Sequence, residues 1–133
     1  RLRAHDVQAR LEGESGVVVH GEPVALEQII HNLIGNALQA MEQVPPDRRW
    51  LTLAVDAAAG HGRLRVTDSG PGIPAAQRAR VFQPFYTTRA QGLGLGLSLC
   101  ESLAAGMDGR LELADARASG ASFMLSLPLA PRP

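Results

Sequence analysis

Asp68 ends an alternating apolar run and is followed at once by Ser69-Gly70-Pro71-Gly72. A carboxylate held at a strand end accepts a hydrogen bond from an exocyclic amine, such as the N6 group of adenine. Two glycines beside it let backbone approach a flat ring or a phosphate closely. The spacing Gly70, Gly72, Ala75 also fits the dinucleotide pattern G-x-G-x-x-[GA], but Pro71 and Pro74 interrupt it and no long helix follows. A second stretch, Gly92-Leu93-Gly94-Leu95-Gly96-Leu97, leads straight into helical spacing. Alternating glycines ahead of a helix start make an anion site, because free backbone N–H groups and the helix dipole both favour negative charge. A flexible glycine linker is the plainer account of that stretch taken alone.

The only two asparagines, Asn32 and Asn36, stand four apart in a strongly helical segment. At that spacing both amides leave one face. With Gln28, Gln39 and Gln43 they form a polar stripe, which on its own reads as a solvated helix face. Against that, Asn is a weak helix former whose side chain competes for backbone hydrogen bonds. Two of the three phenylalanines lie in Phe82-Gln83-Pro84-Phe85, where they read as loop anchors on the core. Tyr86-Thr87-Thr88-Arg89 follows, with Arg89 free to reach phosphate oxygens.

The elements that must position these groups follow from periodicity. Val7, Ala9 and Leu11 alternate with polar residues and predict a half-buried strand, and Val17-Val18-Val19 a second one after a turn over residues 12–16. From Pro23 or Val24 to Gln43 the pattern is helical, with Leu26, Ile29, Ile30, Leu33, Ala37, Leu38 and Met41 on one face and Pro45-Pro46 as the stop. Strands are expected from Trp50 to Val55 and from Leu64 to Asp68, joined by a hairpin connection over Ala57 to Gly62. Ala75 to Val81 is a short helix and Phe82 to Gly96 a loop. Leu95 to Ala105 is a third helix with Gly106 or Gly109 near its end, before strands at Arg110 to Ala114 and Ala121 to Leu127 and a Pro-rich tail over residues 128–133. Six strands and three helices in this order fit an α+β sandwich with helices on one face of a mixed sheet. The chain reads as one domain, residues 1–133.

Composition removes several classes of function. Thirteen basic and thirteen acidic residues cancel, which argues against a nucleic-acid clamp. Every basic residue is Arg, so a Walker A loop and a Schiff-base mechanism, both of which need Lys, are excluded. The single cysteine, Cys100, excludes an intramolecular disulfide and a multi-cysteine zinc site. It reads as a small buried hydrophobe. No apolar run approaches the roughly 20 residues of a membrane span, so no membrane contact by this stretch of chain is expected.

Taken in order, these stretches resemble the catalytic and ATP-binding domain of bacterial sensor histidine kinases, within the superfamily of gyrase, heat-shock chaperone, histidine kinase and mismatch-repair ATPases. LEQIIHNLIGNALQAM at 26–41 is similar to the N box and VTDSGPGIP at 66–74 to the G1 box. VFQPFYTTR at 81–89 is similar to the F box, GLGLGLSLC at 92–100 to the G2 box, and GASFMLSLP at 120–128 to the closing strand. The nearest subgroup resembles the nitrogen-regulation and dicarboxylate sensors. The resemblance implies a two-layer α/β sandwich of the Bergerat type, its mixed, mostly antiparallel sheet covered on one face by three helices.

The resemblance also implies roles. Asn36 would coordinate Mg2+ between the triphosphate oxygens of ATP, with Asn32 one turn earlier towards the phosphates. Asp68 would hold adenine N6, with Gly70, Gly72 and Ile73 shaping the base pocket. Phe85, Tyr86, Thr88, Arg89, Gly92, Leu93 and Gly94 would belong to the ATP lid, Leu95 would also contact the nucleotide, and Gly94 and Gly96 would place N–H groups on the phosphates. Arg89 stands where the family usually carries Lys, which replaces a point charge with a rigid fork. Ala121-Ser122 stands where the family usually shows Gly-Thr motifs closing with a hydroxyl, so Ser122 is expected to retain it in the nucleotide site.

The reaction implied is transfer of the γ-phosphoryl group to a histidine on a separate dimerisation and phosphoacceptor domain, with a response regulator downstream. Hydrolytic relatives place Glu at the position of Asn32, and an amide cannot take a proton from water near neutral pH. A hydrolytic ATPase module or an inert nucleotide-binding regulatory module are the alternatives. None of His5, His20, His31 and His61 sits in the family's phosphoacceptor pattern. The chain is expected to be monomeric and cytoplasmic, within a full-length homodimer that is membrane-anchored.

Overall fold

Glu22 starts the longest helix, α1 (Pro23–Ala40), in the computed structural model, which describes residues 7–83, 96–115 and 120–130. Its carboxylate accepts from the N–H groups of Val24 at 3.1 Å and Ala25 at 2.7 Å. Those donors have no partner within the first helical turn. Pro23 fits the start of the helix because its missing N–H would have been unpaired there. The helix ends at Ala40, ahead of the expected Gln43. Met41 turns instead into the core, where it is fully buried, and Pro46–Arg48 forms a short 3-10 turn.

The sheet has five strands, β1 (Gln8–Gly13), β2 (Trp50–Ala58), β3 (His61–Asp68), β4 (Arg110–Asp115) and β5 (Ser122–Pro128), in the order β1-β2-β3-β5-β4. β1 runs parallel to β2, joined through α1 as a crossover requires, and the other pairs are antiparallel. Ala59 and Gly60, both at positive φ, close the β2–β3 hairpin in two residues. Positive φ at both central positions matches the right-handed twist of the flanking strands.

Alternation sets the two faces of the sheet. Val66 pairs with Phe123 and Leu64 with Leu125, and this side chain set meets the helices. From above, α1 packs on β3, and α3 (Gly96–Gly106) packs on α1, β4 and β5. Ile29, Leu33, Ala37 and Leu38 of α1 and Cys100 and Ala104 of α3 are buried between the layers. A third helix, α2 (Ala75–Arg78), is a single turn after the glycine-proline loop. The fold is thus the α+β arrangement of a mixed sheet with its helices on one face.

Two expectations change. Val17–Val19 forms no strand of the sheet; Val19 makes one isolated antiparallel bridge to Leu129, with His20 N–H donating to Pro128 O at 2.8 Å. That short segment instead lies against Gly62, so its valines pack without a ladder. β1 is also exposed along its whole length, and Leu11 stays 80% exposed. The apolar alternation of β1 is real, but the helices pack over β3, β4 and β5.

Candidate functional site

Asp68 is the last residue of β3, and its N–H donates to Ala121 O at 3.0 Å, fastening the strand end to the start of β5. It shares a sheet face with Leu64 and Val66, so its carboxylate lies on the helix side and is only 8% exposed. Gly70 N–H donates to Oδ1 at 2.8 Å. Burial pushes the carboxyl pKa up, and the backbone N–H groups of Gly70 and Ala121 pull the other way. The result is a desolvated acceptor with few competitors, suited to a donor arriving from a ligand.

Close packing fixes where this carboxylate sits. A Cβ on Gly70 would stand 2.8 Å from Ala40 O, so the loop after Asp68 lies directly on the end of α1. Ser69 ties the same loop down from the other side. Its hydroxyl donates to Arg48 O at 2.7 Å and accepts from Trp50 N–H at 2.8 Å. Gly72 has φ of +80°, which re-aims the chain towards Ile73 at a conformation other residues rarely adopt. Ile73 is half-buried against the core, and Arg78 Nε donates to its carbonyl at 3.2 Å.

Asn36 stands one helical turn before Ala40, on the part of α1 that meets the Gly70 loop, and Asn32 one turn earlier. Both amides are half-buried, whereas Gln28, Gln39 and Gln43 are exposed. The polar stripe is therefore not uniformly solvated. Asn32 Nδ2 donates to Cys100 Sγ at 3.5 Å, which places α3 beside Asn32 one turn in from Gly96. Among the described residues, nothing lies within contact of where a Cβ on Gly96 would stand. The strand-end carboxylate and the two amides thus lie along the second half of α1, with α3 packed beside Asn32. Phe82 anchors the chain entering the next segment, edge-on to Phe123 with ring centroids 5.9 Å apart.

Phe85, Tyr86, Thr88, Arg89, Gly92, Leu93, Gly94 and Leu95 lie outside the described residues, as does His5. Ser122 is a correction. Its Oγ lies 2.7 Å from Thr67 Oγ1. Thr67 precedes Asp68 in the strand and so points to the opposite face. The Ser122 hydroxyl belongs to the side of the sheet away from the Asp68 carboxylate. Ala121, its neighbour, meets Asp68 through its backbone instead.

Among the described residues no group of three or more His, Cys, Asp or Glu side chains gathers to hold a metal. A Mg2+ ion does not need one, because it keeps several waters and takes one or two protein oxygens plus substrate phosphates. The half-buried Asn36 amide suits that minimal donor set.

Residues 21–131 match the family model described as histidine kinase-, DNA gyrase B- and HSP90-like ATPase. The chain is 36% identical over 121 residues to the sensor histidine kinase TmoS of Ectopseudomonas mendocina, covering 90% of this chain and 12% of that protein. It is 42% identical over 132 residues to the C4-dicarboxylate transport sensor protein DctB of Pseudomonas aeruginosa, covering 96% of this chain and 21% of that protein. The chain thus spans only 12% and 21% of the length of these relatives. Among solved structures, the nucleotide-free catalytic domain of histidine kinase ThkA superposes with a TM-score of 0.82 at 27% identity, covering 96% of this chain and 82% of that one. Full-length ShkA in complex with AMPPNP superposes with a TM-score of 0.82 at 27% identity, covering 98% of this chain and 27% of that one.

Proposed function

The chain belongs to the histidine kinase-, DNA gyrase B- and HSP90-like ATPase family, and on that premise we propose that it binds Mg-ATP and donates the γ-phosphoryl group to a histidine of a separate phosphoacceptor domain. The observation that carries this reading is the buried Asp68 carboxylate, held by backbone at a strand end beside α1. The AMPPNP bound by ShkA, a structural neighbour of this chain, supports an adenine nucleotide as the ligand.

In this reading Asp68 accepts from adenine N6, and the Gly70–Ile73 loop forms the wall of the base pocket. Asn32 and Asn36 lie under the phosphates, with Gly96 opening the helix whose N-terminus favours their negative charge. Asn36 would hold Mg2+, which supplies charge neutralisation at the phosphate oxygens. Phe85, Tyr86, Thr88, Arg89, Gly92, Leu93, Gly94 and Leu95 complete the phosphate end, with Arg89 offering a guanidinium to the oxygens. The acceptor imidazole nitrogen forms a bond to the γ-phosphorus as the bond to the β–γ bridging oxygen breaks. ADP leaves with that electron pair, and the proton on the other imidazole nitrogen passes to solvent. The protein's share of such a reaction is positioning and electrostatics rather than covalent chemistry.

Asn32 supports phosphotransfer over hydrolysis, since an amide is no base for water. The partners in this reading are the phosphoacceptor domain of the same full-length kinase and, after it, a response regulator. Among the described residues no helix is long and apolar enough to cross a membrane. The proposal places this stretch on the cytoplasmic side of an anchored homodimer.

Labelled ATP supplied together with a histidine-bearing acceptor domain tests the proposal. Acid-labile, base-stable label on the acceptor is the expected result. Release of inorganic phosphate alone, at a high steady rate, would instead identify a hydrolytic module.

A further inference from the structure

Asn32 and Cys100 meet where α1 and α3 cross, and the contact joins chemically unlike ends. The amide group has an NH2 end that only donates and an oxygen that only accepts. The two ends exchange by a half-turn of a broad terminal torsion, so nothing local to the side chain decides which way it stands. Here the NH2 end donates to Cys100 Sγ at 3.5 Å. Cys100 is fully buried one turn into α3, so water cannot replace it as the partner. Burial raises the pKa of the thiol, with the Asn32 bond opposing that shift, so near neutral pH it stays an uncharged S–H group whose sulfur lone pair is what the Asn32 NH2 meets.

We propose that Cys100 is a positioning residue for the phosphate end of the nucleotide site, holding the Asn32 amide in one of its two orientations. The role rests on the reading that Asn32 faces the phosphates of bound Mg-ATP. With the NH2 end occupied by sulfur, the amide oxygen is kept off α3. Incoming phosphate oxygens and metal-bound water then meet one fixed arrangement of donor and acceptor. Without the sulfur the amide averages over both orientations, and nucleotide binding must select one.

The test combines two readouts on Cys100→Val, which fills the space without an acceptor, and Cys100→Ser, which restores one. In the nucleotide-free protein, the side-chain NH2 resonances of Asn32 should shift in Cys100→Val and keep their dispersion in Cys100→Ser. Calorimetry with Mg-ATP should then show Cys100→Val binding roughly three- to tenfold more weakly, the size of one modest hydrogen bond. Cys100→Ser should stay near the native affinity. The same Val substitution in an Asn32→Ala background should have no further effect, because the amide it acts through is gone. Unmoved Asn32 resonances, or an equal loss of affinity in both backgrounds, would overturn the positioning role while leaving the nucleotide site standing. A native chain that fails to bind Mg-ATP, even with the resonances responding as expected, would overturn the nucleotide reading itself and this role with it.

Discussion

Gly120 lies so close to Asp68 that a Cβ on it would overlap the Asp68 carbonyl oxygen. Its φ of 149° is also one that side-chain-bearing residues rarely adopt. The backbone of β3 and the approach to β5 therefore touch where the carboxylate emerges, and the contact exists only because residue 120 has no side chain. Asp68 is held by its own strand, by Gly70 in front and by Gly120 behind.

Gly120→Ala should accordingly destabilise the fold, by about 1–3 kcal/mol from overpacking alone with backbone strain added. Urea unfolding would show this as a lowered midpoint at unchanged slope. Nucleotide affinity should fall in the same variant, because the carboxylate moves with its strand.

Asp68→Ala should weaken nucleotide binding about ten- to a hundredfold, the range for a hydrogen bond to a charged group. Calorimetry with ATP or ADP and Mg2+ reads it directly. Unchanged affinity would remove the adenine assignment.

Acidity should move stability and affinity in opposite directions. Burial raises the Asp68 pKa above the 3.8 of an unperturbed aspartate. The folded chain thus holds this proton more tightly than the unfolded one, and stability falls as pH rises from 3.8 through the folded value. An amine donor favours the ionised carboxylate, so nucleotide affinity should rise across the same window. Chemical denaturation and calorimetry over that range, with Asp68→Asn as the flat control, check both signs.

Two leucines should behave very differently when truncated. Leu33 is 2% exposed between the layers, and Leu33→Ala should cost about 2–5 kcal/mol. Leu11 on β1 is 80% exposed, and Leu11→Ala should stay within about 0.5 kcal/mol of the native protein. Thermal unfolding of the pair separates these outcomes.

Ser122→Ala should leave nucleotide affinity at the native level. Its hydroxyl partner is Thr67 on the far side of the sheet, so the loss, about 1 kcal/mol for one hydrogen bond, should fall on stability instead.

Much of this was legible in the residues. The helical period puts Leu26, Ile29, Ile30, Leu33, Ala37, Leu38 and Met41 on one face; five are buried, and Leu26 and Ile30 are half-buried. Asp68 was placed at a strand end and is found there. The face of Ser122 was also available and was missed: Phe123, Leu125 and Leu127 point to the core, so an even-numbered neighbour in that strand points away. By the same count Asp68 goes with Leu64 and Val66. Other features depend on what the chain meets in space. The exposure of β1 follows from where the helices settle, and Val17–Val19 had the composition of a strand without a full partner. The Asn32–Cys100 contact joins residues 68 apart in sequence, beyond any local pattern. Glu22 as the helix cap is local but chemically atypical, since shorter side chains usually fill that place.

Ser69 adds a mechanical meaning to a motif usually read for its chemistry. Its oxygen rivets three stretches together, reaching Arg48 O, Trp50 N–H and, at 3.3 Å, Met41 Sδ. Arg49 stiffens the same bend from outside, with Nε on Val44 O at 2.7 Å and a second nitrogen on Glu42 O at 3.1 Å. In the proposed nucleotide reading the bend between α1 and β2 would therefore gauge the width of the base pocket, so residues that never meet the ring would set the tolerance of its fit.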